Sequence, residues 1–238
     1  MTISLLKIRT PMGYQAALEL QHAHGVELER STEKIAKLIL LQHTPVFTLG
    51  RKTEAQHLLC SEHDLAVRTG AEVIHVDRGG SITYHGPGQI TAYLLLNLSV
   101  WNIGIHEHLD KLESAAMNAL ARFGITGHRE PGMTGVWVGP SGSPLPREGE
   151  GLGVRGPASE KICAIGVSAR RWVTYHGLSL NVDLNLQPFY EVVPCGLTKP
   201  VTSIAKLLGR PVRISEVEPA LSAAFGEVYG AKVEVGMV

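Results

Sequence analysis

Cysteine is scarce in this chain. Three cysteines occur among 238 residues, Cys60, Cys163 and Cys195, and no two of them form a Cys-x-x-Cys pair. An odd number of widely separated cysteines does not make a disulfide framework, and a zinc knuckle is not expected without the pair. We therefore expect a protein of the reducing cytoplasm.

Net charge and long apolar runs are also missing. The 22 basic residues equal the 22 acidic ones in number, which removes the usual electrostatic argument for binding nucleic acid or a membrane surface. No apolar run approaches the ~20 residues of a membrane span. Residues 1–9 also lack the apolar centre of a secretion signal. We expect neither nucleic acid nor a membrane as a partner.

What the chain does have is a dense motif from Arg78 to Tyr93, which reads Arg-Gly-Gly-Ser-Ile-Thr-Tyr-His-Gly-Pro-Gly-Gln-Ile-Thr-Ala-Tyr. Its glycines and proline let the main chain come close to a bound molecule. Its Arg, Thr, Tyr and His side chains supply charge and hydrogen bonds. An ordinary Gly/Pro hairpin loop is the alternative, but the density of reactive side chains favours a binding site.

Two residues outside this motif could carry covalent chemistry. Cys195 lies between Pro194 and Gly196, a tight-turn context that exposes a side chain, whereas Cys163 lies in an apolar strand. Free cysteines are usually inert and buried, and a thiol becomes a nucleophile when a nearby cation stabilises the thiolate. Lys161, at the start of an apolar strand, is the candidate cation. Its alternative is a solvated lysine at a strand end.

The motif at 78–93 resembles, almost residue for residue, the signature of the lipoyl(octanoyl) transferases. The likeness continues through 161–167, 176–182 and 194–196 in the family's order, and it covers most of residues 43–197. It implies an α+β fold with mixed sheets flanked by helices, like the catalytic domain of biotin and lipoate protein ligases.

This resemblance implies an acyltransferase. The octanoyl donor would be octanoyl-acyl carrier protein, and the acceptor would be a lysine on the lipoyl domains of 2-oxoacid dehydrogenase E2 subunits and of the glycine cleavage H protein. Cys195 and Lys161 would be the catalytic pair, with the acyl group held on Cys195 as a thioester. No ATP, metal or other cofactor is required, because the donor is already an activated thioester.

The resemblance also implies which residues line the substrate site: Arg78, Gly79, Gly80, Ser81, Ile82, Thr83, Tyr84, His85, Ala164, Ile165, Gly166, Gly177, Leu178 and Ser179. His43 is a further candidate, since it opens a His-x-Pro-Val-Phe-Thr-x-Gly segment that the family shares. A loop histidine is otherwise more often solvated.

Two other functions stay open. An ATP-dependent lipoate or biotin ligase shares the fold and a lysine, but the chain has neither a P-loop nor the Gly-Gly-Gly and Gly-Arg-Gly-Arg runs of those ligases. A non-catalytic module that binds lipoyl domains would need none of Cys195, Lys161 and His85, yet all three are present.

Periodicity agrees with an α+β class. The predicted helices cover residues 13–30, 106–124 and 215–229. A hairpin is predicted from 161–170 and 173–182, with its turn at Arg170-Arg171-Trp172.

We expect one domain over residues 1–238, because 44% hydrophobic residues suffice for an ordinary core. We also expect a monomer, although composition does not decide the oligomeric state. Residues 139–158 are too rich in glycine and proline for regular structure and predict an inserted loop. The family resemblance lapses at this loop and resumes at Lys161.

Overall fold

The computed structural model describes residues 1–140, 159–192 and 200–236. Its helices are α1 (Tyr14–Arg30), α2 (Glu62–Thr69), α3 (Leu98–Trp101), α4 (Ile105–Ala121), α5 (Ile204–Leu208) and α6 (Ile214–Tyr229), with short 3-10 helices at Ala55–His57 and Gln187–Glu191. In this described part of the chain, every helix is too short or too polar to cross a membrane.

The strands are β1 (Thr2–Lys7), β2 (Ile35–Leu41), β3 (Val46–Leu49), β4 (Glu72–His75), β5 (Ile82–His85), β6 (Gln89–Leu96), β7 (His128–Glu130), β8 (Met133–Val138), β9 (Glu160–Arg170), β10 (Val173–Asn181) and β11 (Lys232–Val235). They form two mixed sheets. The larger has the order β11-β1-β2-β6-β10-β9-β8-β7, and the smaller has the order β4-β3-β5. The predicted α+β class with mixed sheets is confirmed.

The two faces of the larger sheet have different neighbours. Successive side chains of a strand point to opposite faces, so β6 places Ala92 and Leu94 in the core with α4 and α6, and Tyr93 and Leu95 in a second core with α1. The smaller sheet has its own core, centred on Phe47. Its loop before β5 reaches the α1 face of the larger sheet, and this contact creates the site described below.

The predicted hairpin is confirmed, since β9 and β10 pair from Arg170 and Val173 onward. Arg171 and Trp172 have φ angles of 49° and 69°, as a two-residue type I′ turn requires. The three predicted helices are present as α1, α4 and α6. Helix α4 ends at Ala121, short of the predicted end at residue 124.

Strand β1 and helix α2 are among the elements that were not predicted. Strand β1 pairs in parallel with β2 and β11, but it is only 6 residues long. Helix α2 buries Leu65 alone, so it lacks the apolar periodicity that reveals a helix in a sequence. Strands β2 and β3, which follow each other in the chain, lie in different sheets.

The inserted loop joins two paired strands. Residues 141–158 lie outside the described part of the chain, but Val138 of β8 pairs with Glu160 of β9, so the two ends are neighbours. We predict that replacing residues 140–157 with a short Gly/Ser linker preserves the fold, because closure entropy changes slowly with loop length.

The melting curve of the linker variant should match that of the parent, and limited proteolysis of the parent should cut first near Arg147 or Arg155. A large drop in melting temperature would show instead that the loop contributes packing. The single domain over residues 1–238 stays a prediction.

Candidate active site

A cavity of about 770 Å³ lies between the smaller sheet and the α1 face of the larger one. Most of the predicted substrate contacts line it: Arg78, Gly79, Gly80, Ser81, Ile82, Thr83, His85, Ala164, Ile165, Gly166, Gly177, Leu178 and Ser179. Lys161 lines it as well. Tyr84 does not, because its ring packs in the core of the smaller sheet, 5.1 Å from Phe47 and 5.7 Å from Phe189 between ring centroids.

Strand β9 contains an irregularity at Ile162 that orients Lys161. Val136 of β8 pairs with Cys163, but the next residue, Trp137, pairs with Lys161. Strand β9 therefore has one extra residue here, which is a β-bulge, and bulges re-aim neighbouring side chains. Cys163 enters the core on one face, and Lys161 lines the cavity on the other.

The ammonium group of Lys161 contacts Thr134 and Trp137. Nζ donates a hydrogen bond to the Thr134 carbonyl at 3.1 Å, and it lies 4.7 Å from the centroid of the Trp137 ring. The ring face attracts a cation. The predicted strand-end lysine is thus held at the cavity wall.

Of the two cysteines that the structure describes, Cys60 is partly exposed and Cys163 is buried. Cys163 is fully buried, and this burial raises the pKa of its thiol far above the ordinary value, although the charge of Lys161 opposes the effect. A thiol in that state is a poor nucleophile. Cys195 lies outside the described residues.

The described residues that flank the segment 193–199, which contains Cys195, pair with other parts of the chain. Val192 forms a bridge with Leu58. On the other side, the Pro200 carbonyl accepts a hydrogen bond from the Lys161 amide at 2.9 Å, and the Thr202 amide donates to the Lys161 carbonyl at 3.0 Å. The described chain therefore resumes directly beside Lys161.

The Arg-Gly-Gly loop rests on β9, main chain against main chain. The Gly79 amide donates to the Val167 carbonyl at 2.9 Å. A Cβ added to Gly166 would lie 2.7 Å from the Gly79 carbonyl oxygen, closer than real contacts allow. The sequence analysis assigned the glycines of this motif to contact with a bound molecule. Gly79 and Gly166 also serve this internal contact.

Arg78 starts a directional chain of hydrogen bonds beneath that loop. Its guanidinium donates to the hydroxyl of Thr48 at 2.7 Å and to the Thr48 carbonyl at 2.8 Å. His85 Nδ1 donates to Gln89 Oε1 at 2.8 Å, so its Nε2 accepts from the Thr48 hydroxyl at 3.4 Å. Gln89 in turn donates to Asn181 Oδ1 at 2.9 Å. The chain links both sheets.

Two histidine–tyrosine pairs lie deeper. His43 Nδ1 donates to the Met12 carbonyl at 3.0 Å, which leaves Nε2 to accept from the Tyr93 hydroxyl at 2.6 Å. The Tyr14 hydroxyl and His176 Nδ1 are hydrogen-bonded at 3.2 Å. His43 is fully buried rather than solvated. Its ring supports Tyr93, and Tyr93 lines the cavity.

Burial keeps these histidines neutral. Desolvation lowers the pKa of His43 to about 4 and that of His176 to about 3, and the charge of Arg78 lowers the His176 value further. Burial, followed by the charges of His43 and Arg78, also holds the pKa of His85 well below its usual value. These three histidines therefore add no positive charge at neutral pH, whereas Arg78 and Lys161 do.

His176 stands out in its backbone. Its φ of 64° lies in the left-handed region, which costs a non-glycine residue roughly 1–2 kcal/mol. The Gln21 side chain of α1 accepts a hydrogen bond from the His176 amide at 2.7 Å and so holds this conformation. Strained backbone of this kind clusters at functional sites.

Sequence reasoning missed several residues that line the cavity. Gln89 and Tyr93 belong to the motif at 78–93, so their presence in the signature could have identified them. Tyr14 and His57 come from other elements, and no local pattern marks them as part of a site.

The fold defines a class of catalytic domain. A family model described as the lipoyl protein ligase A/B catalytic domain matches residues 13–226. Among solved structures, the bi-partite lipoate protein ligase from Thermoplasma acidophilum, studied with its E2 lipoyl domain, has a TM-score of 0.73 at 16% identity. That likeness covers 100% of this chain and 88% of the other, and it shows the shared fold.

Relatives in sequence narrow the class. The octanoyltransferase of Gloeobacter violaceus is 39% identical over 199 residues, which are 84% of this chain and 78% of the relative. The octanoyltransferase of Chloroflexus aurantiacus strain J-10-fl is 40% identical over 227 residues, 94% and 93% of the two chains. The chain belongs to the octanoyltransferase family and is an acyltransferase, which confirms the family predicted from the motifs.

The buried His43 predicts a pH-dependent stability. Its pKa is about 4 in the fold against 6.5 ordinarily, so the unfolded chain binds the proton more readily. The contribution of the neutral ring is fully present above pH 6.5 and is lost as pH falls toward 4, by ~3 kcal/mol at most.

In His43→Gln, the difference in unfolding free energy between pH 7 and pH 4.5, measured with urea, should be smaller than in the parent. His63→Gln, at an exposed histidine, is the control and should keep the parental difference. An unchanged difference in His43→Gln would contradict the assignment.

Proposed function

We propose that this chain transfers an octanoyl group from octanoyl-acyl carrier protein to the ε-amine of a lysine on lipoyl domains, through a thioester on Cys195. The supporting observation is the position of Lys161. The β-bulge directs its side chain into the cavity, and its backbone is hydrogen-bonded to Pro200 and Thr202, which follow Cys195 in the chain. The acceptors are the lipoyl domains of 2-oxoacid dehydrogenase E2 subunits and the glycine cleavage H protein.

The first half of the reaction is a thioester exchange. The Lys161 ammonium stabilises the Cys195 thiolate, which attacks the acyl carbonyl of the donor. The bond from the carbonyl carbon to the donor sulfur breaks, and the departing sulfur takes a proton from Lys161. One thioester replaces another, so the step is nearly balanced and needs no ATP.

The second half forms the amide. The neutral amine of the acceptor lysine attacks the Cys195 thioester and gives up a proton to the now neutral Lys161. The carbon–sulfur bond breaks, and Cys195 leaves as a thiolate beside the restored Lys161 ammonium. The proton that Lys161 lost in the first half is thus returned in the second, and the enzyme is regenerated.

The cavity wall suits this chemistry. Both ring nitrogens of His85 and Nδ1 of His176 hydrogen-bond to other protein groups, so the rings of these two cavity-lining residues offer the acyl chain largely apolar faces. Backbone amides of the Arg-Gly-Gly loop other than that of Gly79, which already donates to Val167, are the candidate donors to the oxyanion, and the nearby Arg78 guanidinium adds positive charge. The residues of the predicted substrate set line the cavity or donate hydrogen bonds to the substrate. Tyr84 is the exception, because it packs in the core of the smaller sheet.

The acyl group should be carried on Cys195. After mixing with octanoyl-acyl carrier protein, denaturing mass spectrometry should show an octanoyl adduct on the parent that neutral hydroxylamine removes, because a thioester is cleaved under these conditions. Cys195→Ser should show no such adduct. Cys163→Ser and Cys60→Ser are the controls and should load like the parent. A hydroxylamine-sensitive adduct on Cys195→Ser would sink the assignment.

A further inference from the structure

One peptide group connects the Lys161 ammonium to a buried carboxylate. The carbonyl of the peptide between Thr134 and Gly135 accepts the hydrogen bond from Lys161 Nζ at 3.1 Å. The N–H of the same peptide donates to Glu113 Oε1 at 2.9 Å. Carboxylate, peptide and ammonium therefore form one continuous chain of hydrogen bonds.

Glu113 is itself fixed. It lies on α4 with its side chain 8% exposed, and its second oxygen accepts from Arg129 Nε at 2.7 Å. Arg129 also donates to the Asp110 carbonyl and to the Ser114 hydroxyl, both at 2.8 Å. The carboxylate therefore cannot swing away from the Gly135 amide without breaking the contact with Arg129.

The geometry at position 135 requires glycine. Gly135 has a φ of 129°, and a Cβ there would lie 2.6 Å from the Cys163 carbonyl oxygen and 3.3 Å from Lys161 Cε. The absence of a side chain lets the Lys161 stem pass against this peptide. A carboxylate at the N–H end polarises the peptide so that its carbonyl becomes a stronger acceptor, since linked hydrogen bonds reinforce one another.

We propose that Glu113 is a positioning residue for the transfer reaction: through the Thr134–Gly135 peptide it fixes the direction of Lys161 and stabilises the ammonium form. This inference rests on the proposed role of Lys161 as partner of the Cys195 thiolate. The reaction needs a cation held in one place before the thioester arrives. The Glu113 carboxylate supplies a negative charge that favours the Lys161 ammonium and hydrogen bonds that restrict its position.

Two carboxylates on the neighbouring strands have partners of their own. Glu160 of β9 pairs with Lys206 of α5 at 2.9 Å, and Glu130 of β7 pairs with His128 at 3.2 Å. Glu113 differs from them because its hydrogen bonds lead to the peptide that holds Lys161.

Glu113→Gln removes the charge and keeps one oxygen that can accept from the Gly135 N–H, while its NH2 group, a donor, no longer accepts from Arg129 Nε. The protonation midpoint of Lys161 is measured by competitive acetylation across a pH series, with the labelled peptide quantified by mass spectrometry. We expect the midpoint to fall by roughly half to one pH unit, as the loss of a nearby negative charge requires. Glu107→Gln, at an exposed position on the same helix, should keep the parental midpoint.

Glu113→Asp gives a second, independent arm, because the shortened side chain keeps its charge but withdraws from the Gly135 amide. We expect its kcat for octanoyl transfer to fall about tenfold, as when a supporting residue is lost, with the KM for octanoyl-acyl carrier protein unchanged. A parental Lys161 midpoint in Glu113→Gln overturns the proposal, and so does a parental kcat in Glu113→Asp.

The two readouts also separate this proposal from the proposed function. If the parent transfers no octanoate, the proposed function fails, while the labelling midpoint still decides whether Glu113 stabilises the Lys161 ammonium. If Glu113→Gln does not fold, the kcat and KM of Glu113→Asp carry the test.

Discussion

The β-bulge at Ile162 is the constraint on which the site depends. Lys161 and Cys163 are two residues apart, so in a regular strand they would face the same side of the sheet. Either the lysine would be buried in the core or the cysteine would enter the cavity. The extra residue in β9 resolves this conflict: Cys163 packs in the core, and Lys161 reaches the cavity.

The second requirement is that the buried histidines near the cavity stay neutral and do not compete with Lys161 for protons. Burying histidines costs free energy unless they are neutral and hydrogen-bonded, and the network from Arg78 through Thr48, His85 and Gln89 meets that condition. His43 and His176 meet it with tyrosine partners. In the reaction proposed above, proton transfer is therefore left to Lys161.

The sequence predicted the long elements and the motif well, because each has a local signal. The glycine run at 78–93 lies at the cavity, as expected from its density of polar residues. The sequence could not predict the bulge, because alternation alone assigns Lys161 and Cys163 to the same face of the strand. The sequence named His43 as a candidate for the site but did not show that its ring is buried against Tyr93, because Tyr93 lies on a strand far along the chain. Tyr84 was assigned to the site because the family resemblance marks all of residues 78–85, and a resemblance does not reveal which side chains of so short a strand face the cavity.

The proposed octanoyl transfer needs no ATP and depends on Lys161. The most direct measurement mixes the protein with octanoyl-acyl carrier protein and a purified lipoyl domain, without ATP, and follows the mass of the lipoyl domain. We predict that one octanoyl group is added by the parent and that Lys161→Ala, although folded, adds almost none. Addition that requires ATP, or a parental rate in Lys161→Ala, would contradict the account.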